Sequence, residues 1–123
     1  MSVSYDLGRQ GEKKAVAFLQ KKGYTVIDTN WRYRHREIDI IAEYSGALHI
    51  VEVKTRTSAV GQTIDEIVGI AKQKNMIAAA DAYVQQNGIS RNVVFDIVYI
   101  IQTAGNEYIK LIEDAFHACD TEI

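Results

Sequence analysis

Hydrophobic positions recur at two spacings along this chain of 123 residues. Residues 5–22 place apolar and small side chains on one side of a helix and lysines on the other, and Gly23 follows as a natural stop. Residues 64–87 repeat the helical spacing, and Asn87-Gly88 is typical of a helix end. The pattern therefore predicts two helices, one at the start of the chain and one after its middle.

Apolar, β-branched segments lie between and after these helices and predict strands. The expected strands cover residues 24–33, 37–44, 47–56 and 93–101, with an additional C-terminal strand considered at 108–112. The order α-β-β-β-α-β, with that additional strand, predicts an α/β protein in which helices flank a mixed central sheet. The length suits a single domain over residues 1–123.

The composition is ordinary for a soluble globular protein. Apolar residues make up 47% of the chain and charged residues 24%. The first residues lack the apolar segment of a signal peptide, and no apolar run reaches transmembrane length. Cys119 is the only cysteine, so no internal disulfide can form. These features predict a cytoplasmic protein with no membrane association.

Charge is distributed unevenly, although the net charge is only −2. Residues 1–36 contain eight lysines and arginines against three acids, whereas residues 37–123 contain six against thirteen. Arg32, Arg34 and Arg36 end the basic part, directly before an acidic strand. A basic rim beside an acidic pocket suits a phosphodiester backbone held over metal ions, but a solvated charged turn explains the pattern equally well.

Charged residues interrupt two strands that are otherwise apolar. Glu52 and Lys54 lie two residues apart in the strand 47–56, so strand alternation places both side chains on one face. Asp39 interrupts the preceding strand, 37–44, in the same way. A charge inside a sheet is unfavourable unless it is paired or binds an ion. The residues alone therefore leave two interpretations open, a metal site and a buried structural ion pair.

Glu12 is a third acid at an unexpected position, because it falls on the side of the first helix that should face the sheet. Mg²⁺ and Mn²⁺ prefer carboxylate oxygens. In the metal interpretation Asp39 and Glu52 are ligands, and the backbone carbonyl of Val53 is a further one. Lys54 then orients the attacking water or neutralises charge that develops on the phosphate.

These residues resemble a known nuclease motif. Asp39 followed by Glu52-Val53-Lys54, after a helix that contains Glu12, looks like the PD-(D/E)xK motif. The wider pattern resembles the YraN family of small, largely uncharacterised bacterial proteins. The matching segments span nearly the whole chain: Gly8-x-x-Gly11-Glu12-x-x-Ala15, Gly23-Tyr24, Asn30-Trp31-Arg32, Glu37-Ile38-Asp39, Val51-Glu52-Val53-Lys54-Thr55-Arg56, Lys72-Gln73, Phe95-Asp96 and Ala115-Phe116.

The resemblance implies the restriction-endonuclease-like fold, a core that Holliday-junction resolvases share, many of which act as dimers. It implies a Mg²⁺- or Mn²⁺-dependent endonuclease that hydrolyses DNA. Asp39 and Glu52 would be its metal ligands, Lys54 its catalytic lysine and Glu12 an auxiliary acid. The resemblance leaves open whether the DNA is branched or single-stranded, whether RNA is also a substrate, and whether the protein is a homodimer.

Six side chains are candidates for contact with the nucleic acid: Arg32, Arg34, Arg36, Arg56, Lys72 and Gln73. Simpler interpretations exist for two of them. Arg56 could pair with a surface acid, and Lys72 could be solvated, as most lysines on helices are. Trp31, Tyr33 and His35 alternate with the arginines, and such a pattern can stack on bases. We expect instead that these aromatic side chains face the core and the arginines face water.

Other polar residues of the strands are expected to be structural. Asp96 is interpreted as a partner of Lys54 or Arg56, His49 as a structural histidine, and Glu37 as a solvent-facing residue at a strand edge.

The main alternative to an enzyme is a non-catalytic nucleic-acid-binding or assembly module that keeps the nuclease fold. Net acidity favours it, as do two departures from the family pattern, Arg36 in place of a glycine and Val94 in place of an arginine. The complete set of acids and lysine favours the enzyme. A third interpretation is a structural protein with a buried ion-pair network.

Overall fold

The computed structural model describes residues 3–57 and 62–118, with side chains described from Gly8 onwards. Gly61 and Cys119 lie outside the described residues. The elements are α1 (Val3–Lys21), β1 (Thr25–Tyr33), β2 (Arg36–Tyr44), β3 (Ala47–Arg56), α2 (Ile64–Ile67), α3 (Ile70–Gln86), β4 (Val93–Thr103) and β5 (Asn106–Phe116).

The five strands form one sheet in chain order, β1-β2-β3-β4-β5. Neighbouring strands are antiparallel except β3 and β4, which are parallel. Parallel neighbours need a crossover connection, and α2 and α3 form it. The predicted mixed α/β architecture is confirmed, including the additional C-terminal strand.

Helices cover both faces of the sheet. On one face, Ala15 and Leu19 of α1 pack in a cluster with Ile40 and Val51 of the two strands beneath them. On the other face, Met76 and its neighbours on α3 pack in a second cluster with other residues of the same strands. β2 and β3 therefore supply side chains to both layers of the core.

The predicted second helix is divided in two. Val68 has an extended backbone with φ −126° and ψ 104°, and Gly69 is extended as the N-cap of α3. Thr63 caps the short α2, because its hydroxyl accepts the backbone N–H of Glu66. Residues 64–87 are thus mainly helical, as predicted, but they form two helices that are separated at this junction.

The last strand is longer than its predicted range, since Asn106–Phe116 covers both sides of residues 108–112. Along it exposed residues outnumber partly buried ones, so its apolar pattern is weak although its pairing with β4 is extensive. Among the described helices, none is long and apolar enough to cross a membrane.

Candidate metal and nucleic-acid site

The pairing of β2 with β3 ends where two of the predicted acids stand. Paired residues run from Tyr44 and Ala47 to Ile40 and Val51, and the next residues are Asp39 and Glu52. Beyond this point the Asp39 carboxylate, through Oδ2, accepts the backbone N–H of Val53 at 2.9 Å. The Asp39 side chain thus replaces the backbone partner that Val53 would have on β2. The two acids lie where β2 and β3 separate, which we call the mouth.

A cleft of about 410 Å³ opens at this mouth. Its lining contains all four residues of the predicted catalytic set together with Val53 and Arg56. The full lining is Gly8, Glu12, Asp39, Glu52, Val53, Lys54, Thr55, Arg56, Thr57 and Gln102. The fold therefore brings residues from α1, β2 and β3 to one cavity, as the metal interpretation requires.

Glu52 is the most buried charged residue of this cleft, with 4% of its side chain exposed. Its Oε2 lies 3.3 Å from Nζ of Lys54 and 3.8 Å from Nζ of Lys72 on α3. Its Oε1 is buried and has no hydrogen-bond partner within the described part of the chain. An unsatisfied buried carboxylate oxygen is unfavourable, so this atom is a strong candidate to receive a cation or a proton.

Electrostatics agree with this description. Burial, and then the neighbouring Asp39 carboxylate, raise the pKa of Glu52 to about 8, although Lys72 and Lys54 act in the opposite direction. Without a cation the Glu52 side chain therefore holds a proton near neutral pH. A divalent cation placed between the two acids would stabilise both carboxylates and so lower the pKa of Glu52.

A second group of acids adjoins the first. One carboxylate oxygen from each of Glu12, Glu37 and Asp39 lies within 4.8 Å of the others, and all three residues are partly buried. Burial, followed by the charge of Asp39, raises the pKa of Glu12, while a hydrogen bond with the Asn30 side chain lowers it. This spacing suits a hard divalent cation, which takes several oxygen ligands at once.

Sequence reasoning set Glu37 aside, yet the structure places it in this acidic group. Its carboxylate also pairs with Arg32 at 3.1 Å. The available signal was its two-residue spacing from Asp39, which puts both side chains on one face of β2. A strand-edge position made Glu37 look solvent-facing, because the close approach of α1 was not visible from the sequence.

A tight helix–strand contact brings Glu12 to the cleft. A Cβ atom on Gly11 would lie 2.7 Å from Thr55 Oγ1, well inside contact distance. Glycine at this position therefore lets α1 approach β3 closely. The next residue, Glu12, is carried over the strand ends by this approach.

The predicted nucleic-acid contacts occupy different environments. Arg56 lines the cleft, and its Nη1 donates to the carbonyl oxygen of Thr55 at 3.1 Å. Lys72 is on α3, and its ammonium contacts the cleft residue Glu52. Gln73, in contrast, is buried, and its amide donates to Asp65 Oδ1 and the Val68 carbonyl, each at 2.8 Å. Gln73 therefore holds α2 against α3, and we no longer assign it to direct nucleic-acid contact.

The hairpin arginines also differ from one another. Arg32 is exposed and pairs with Glu37, and Arg36 Nε donates to Asn75 Oδ1 on α3 at 3.4 Å. The Arg34 guanidinium lies 5.3 Å from the ring centre of Tyr33. Arg34 therefore turns back over an aromatic side chain instead of facing only water.

The partner expected for Asp96 was wrong. Its Oδ2 lies 2.6 Å from His49 Nδ1, and its Oδ1 accepts the backbone N–H of Asp114 at 2.9 Å. Asp96 pairs in register with Val51, three positions before Lys54 on β3, so it faces the α1 side and not the lysine. His49 and Asp96 form a buried pair that joins β3, β4 and β5.

Fold and site together define a small mixed α/β protein with an oxygen-rich acidic cleft flanked by lysines. Residues 11–100 match the sequence profile described as "Uncharacterised protein family UPF0102". This is well over half of the chain, which therefore belongs to the UPF0102 family.

Curated relatives match over nearly their full length. A UPF0102 protein of Parabacteroides distasonis is 44% identical over 96% of this chain and 98% of its own. A UPF0102 protein of Bacteroides thetaiotaomicron is 41% identical over 95% and 97%. Another, from Flavobacterium psychrophilum, is 40% identical over 95% and 98%. Their names give the family and no activity.

Proposed function

We propose that this protein is a Mg²⁺- or Mn²⁺-dependent endonuclease that hydrolyses phosphodiester bonds in DNA, built on the restriction-endonuclease-like core of the PD-(D/E)xK superfamily. One observation carries the proposal. Oε1 of Glu52, which is buried and has no hydrogen-bond partner among the described residues, lies where the β2–β3 pairing ends beside Asp39, and Lys54 contacts the same carboxylate. The two lysines leave this oxygen unsatisfied, whereas a cation or a proton shared with Asp39 would satisfy it.

The donor atoms suit a hard divalent cation. Asp39 and Glu52 would hold it, with Glu12 or Glu37 contributing a further oxygen and the Val53 carbonyl as another candidate ligand. All of these donors are oxygens, which Mg²⁺ and Mn²⁺ prefer. Such an ion, when bound, polarises a phosphate oxygen and makes water more acidic.

The protein's own residues supply the remaining chemistry. Lys54 is partly exposed, so its ammonium can meet negative charge that develops on the phosphate in the transition state. Glu12 is held beside the acids with a raised pKa, and a carboxyl group of that kind can exchange a proton with water. Arg56 and Lys72 would neutralise the neighbouring phosphates.

Substrate choice would depend on the shape of the nucleic acid. The described residues form one sheet with its flanking helices and include no separate recognition domain. Recognition would come from a branched or single-stranded structure in the DNA, from a second copy in a homodimer, or from a partner protein. RNA that offers the same single-stranded structure is a further candidate substrate.

The test combines calorimetric Mn²⁺ titration with a cleavage assay on branched and single-stranded DNA. Asp39→Asn should lose Mn²⁺ binding, and Lys54→Met should keep it but lose about 100-fold or more in cleavage rate. Asp81→Asn, a change of an exposed aspartate on α3, is the matched control and should behave like the wild type.

A Lys54→Met variant that cleaves at the wild-type rate would refute the catalytic assignment. DNA binding without Mn²⁺ binding or cleavage would instead favour the alternative, a non-catalytic nucleic-acid-binding module on the same fold. Replacing Glu52 distinguishes the structural interpretation, which requires a loss of stability whether or not metal is present.

A further inference from the structure

We infer that the hairpin between β1 and β2 holds an unpaired base next to the proposed cleavage site, so that the substrate is a nucleic acid with a single-stranded segment. The inference rests on the proposed function for its link to cleavage, but base binding is testable without metal. Trp31, Tyr33 and Arg34 carry it.

These three side chains form a stacked column on the α3 side of the hairpin. The rings of Trp31 and Tyr33 are nearly parallel, with 4° between their planes and 6.3 Å between their centres. Tyr83 fixes the inner end, because its ring meets Trp31 edge-on at 5.2 Å. The Arg34 guanidinium, 5.3 Å from the Tyr33 ring centre, forms the outer end. A base has the flat face needed to extend such a column or to replace its outermost member.

The backbone at Arg34 has a conformation that is uncommon for arginine. Arg34 has φ +59°, a left-handed conformation that glycine or asparagine adopts more easily. Hairpin turns that need positive φ usually contain those residues. Here a bulky cation occupies the position and is thereby directed over Tyr33, and strain of this kind is concentrated at functional sites.

Two contacts made by α3 lie between the column and the acidic cleft. Arg36 stands opposite Tyr33 in the strand pairing and donates to Asn75 on α3. Lys72 is one helical turn before Asn75, on the same side of α3, and lies 3.8 Å from Glu52. Cations thus line the path from the column to the cleft, which is complementary to a phosphate backbone whose terminal base reaches Arg34.

The experiment uses the intact chain in EDTA, where no cleavage can occur. Trp31 is the only tryptophan, so its fluorescence reports directly on the column. Single-stranded DNA of about 10 nucleotides should quench or shift this emission, whereas a blunt duplex of equal length should do neither, because its bases are already stacked. Fluorescence anisotropy of labelled oligonucleotides gives the affinities.

Variants separate stacking from charge. Arg34→Gly should weaken single-strand binding by about tenfold and leave the melting temperature equal or higher, since glycine accepts the left-handed backbone. Arg34→Lys keeps the charge and loses the planar group, so it should resemble Arg34→Gly more than the wild type. Lys110→Gln removes an exposed cation from the strand at the opposite edge of the sheet and should change little.

The inference is overturned if the blunt duplex binds as tightly as the single strand with the same change in emission. It is also overturned if Arg34→Gly binds single strands within about twofold of the wild type. A third outcome is that the protein prefers single strands and Arg34→Gly loses that binding, but no Mn²⁺-dependent cleavage is found. This outcome would support the base site and reject the nuclease proposal. Failure of the base-binding inference and failure of the nuclease proposal therefore give different results.

Discussion

At the scale of single residues, Glu52 shows how a candidate site can oppose stability. The side chain is 4% exposed, and one of its oxygens has no protein partner among the described residues. Two lysines offset part of the unfavourable charge without reaching that oxygen. A residue chosen for stability alone would be neutral here, because a buried charge with incomplete pairing destabilises the folded state.

Glu52→Gln is therefore expected to stabilise the metal-free protein, increasingly so as pH rises. The pKa of Glu52 is about 8 in the folded protein and 4.5 in its ordinary setting, so the folded state binds the extra proton between these values. Wild-type stability should thus fall as pH rises through this window, whereas glutamine has no proton to lose. The variant should gain about 4 kcal/mol relative to the wild type between about pH 5 and pH 9.

Urea unfolding in EDTA at several pH values measures this difference. Glu66→Gln, a change of an exposed glutamate on α2, is the control and should follow the wild-type profile. Parallel profiles for Glu52→Gln and the wild type would contradict the prediction. Added Mn²⁺ should stabilise the wild type and leave Glu52→Gln unchanged, because ligand binding stabilises only a protein that has the site.

At the scale of elements, the contact between α1 and β3 determines where Glu12 stands. Gly11→Ala should destabilise the protein by about 1–3 kcal/mol, because the new methyl group would overlap Thr55 Oγ1. Gly8→Ala, one turn earlier on the same helix, has open space around it and should gain about 0.5–1 kcal/mol from helix propensity.

Chemical denaturation of both variants provides the comparison. Adding Thr55→Ala to Gly11→Ala should recover part of the loss, since contacting residues are not additive. Equal effects of alanine at positions 8 and 11 would mean that the helix does not approach the strand as closely as described.

The elements also show which parts of the fold are predictable. The strand over residues 47–56 has its predicted bounds because its apolar residues are continuous and its turn is clear. The break at Val68 was not predicted, although Gly69 follows it, because a single glycine inside a helical pattern does not show whether the helix ends there. Asp96 was assigned to the wrong partner because strand register, which places it beside His49, is not visible in a single sequence.

At the scale of the whole molecule, charge separation matters more than net charge. A chain with a net charge of −2 should bind nucleic acid weakly outside its basic region. If Arg36, Lys54, Arg56 and Lys72 each neutralise one phosphate, the affinity for single strands should fall with salt at a logarithmic slope of about −3.

Salt titrations of Arg36→Gln and Lys72→Gln test this number of phosphate contacts. Each variant should reduce the magnitude of the slope by about 0.7. Lys74→Gln removes an exposed lysine from the same helix and should leave the slope unchanged. A wild-type slope near zero would show that these cations do not contact phosphates.

The sequence located the centre of the site better than its surroundings. Apolar settings marked Asp39, Glu52 and Lys54, and the structure places them in one cleft. Glu37 and the stacking position of Arg34 were missed because they depend on a helix approaching from another part of the chain and on the backbone conformation of one turn. Charges that interrupt an apolar pattern are visible in a sequence. Positions that depend on contacts between distant parts of the chain are not.

The hydrogen bond from the Val53 amide to Asp39 gives the cleft a built-in spectroscopic probe. That amide belongs to the backbone of a core strand, yet it donates to a carboxylate of the candidate site. Any cation that draws electron density from Asp39 weakens the bond, so the amide proton should shift in a nitrogen-15 spectrum and exchange faster with solvent. One backbone resonance thus follows the occupancy of the cleft with no added label at the site.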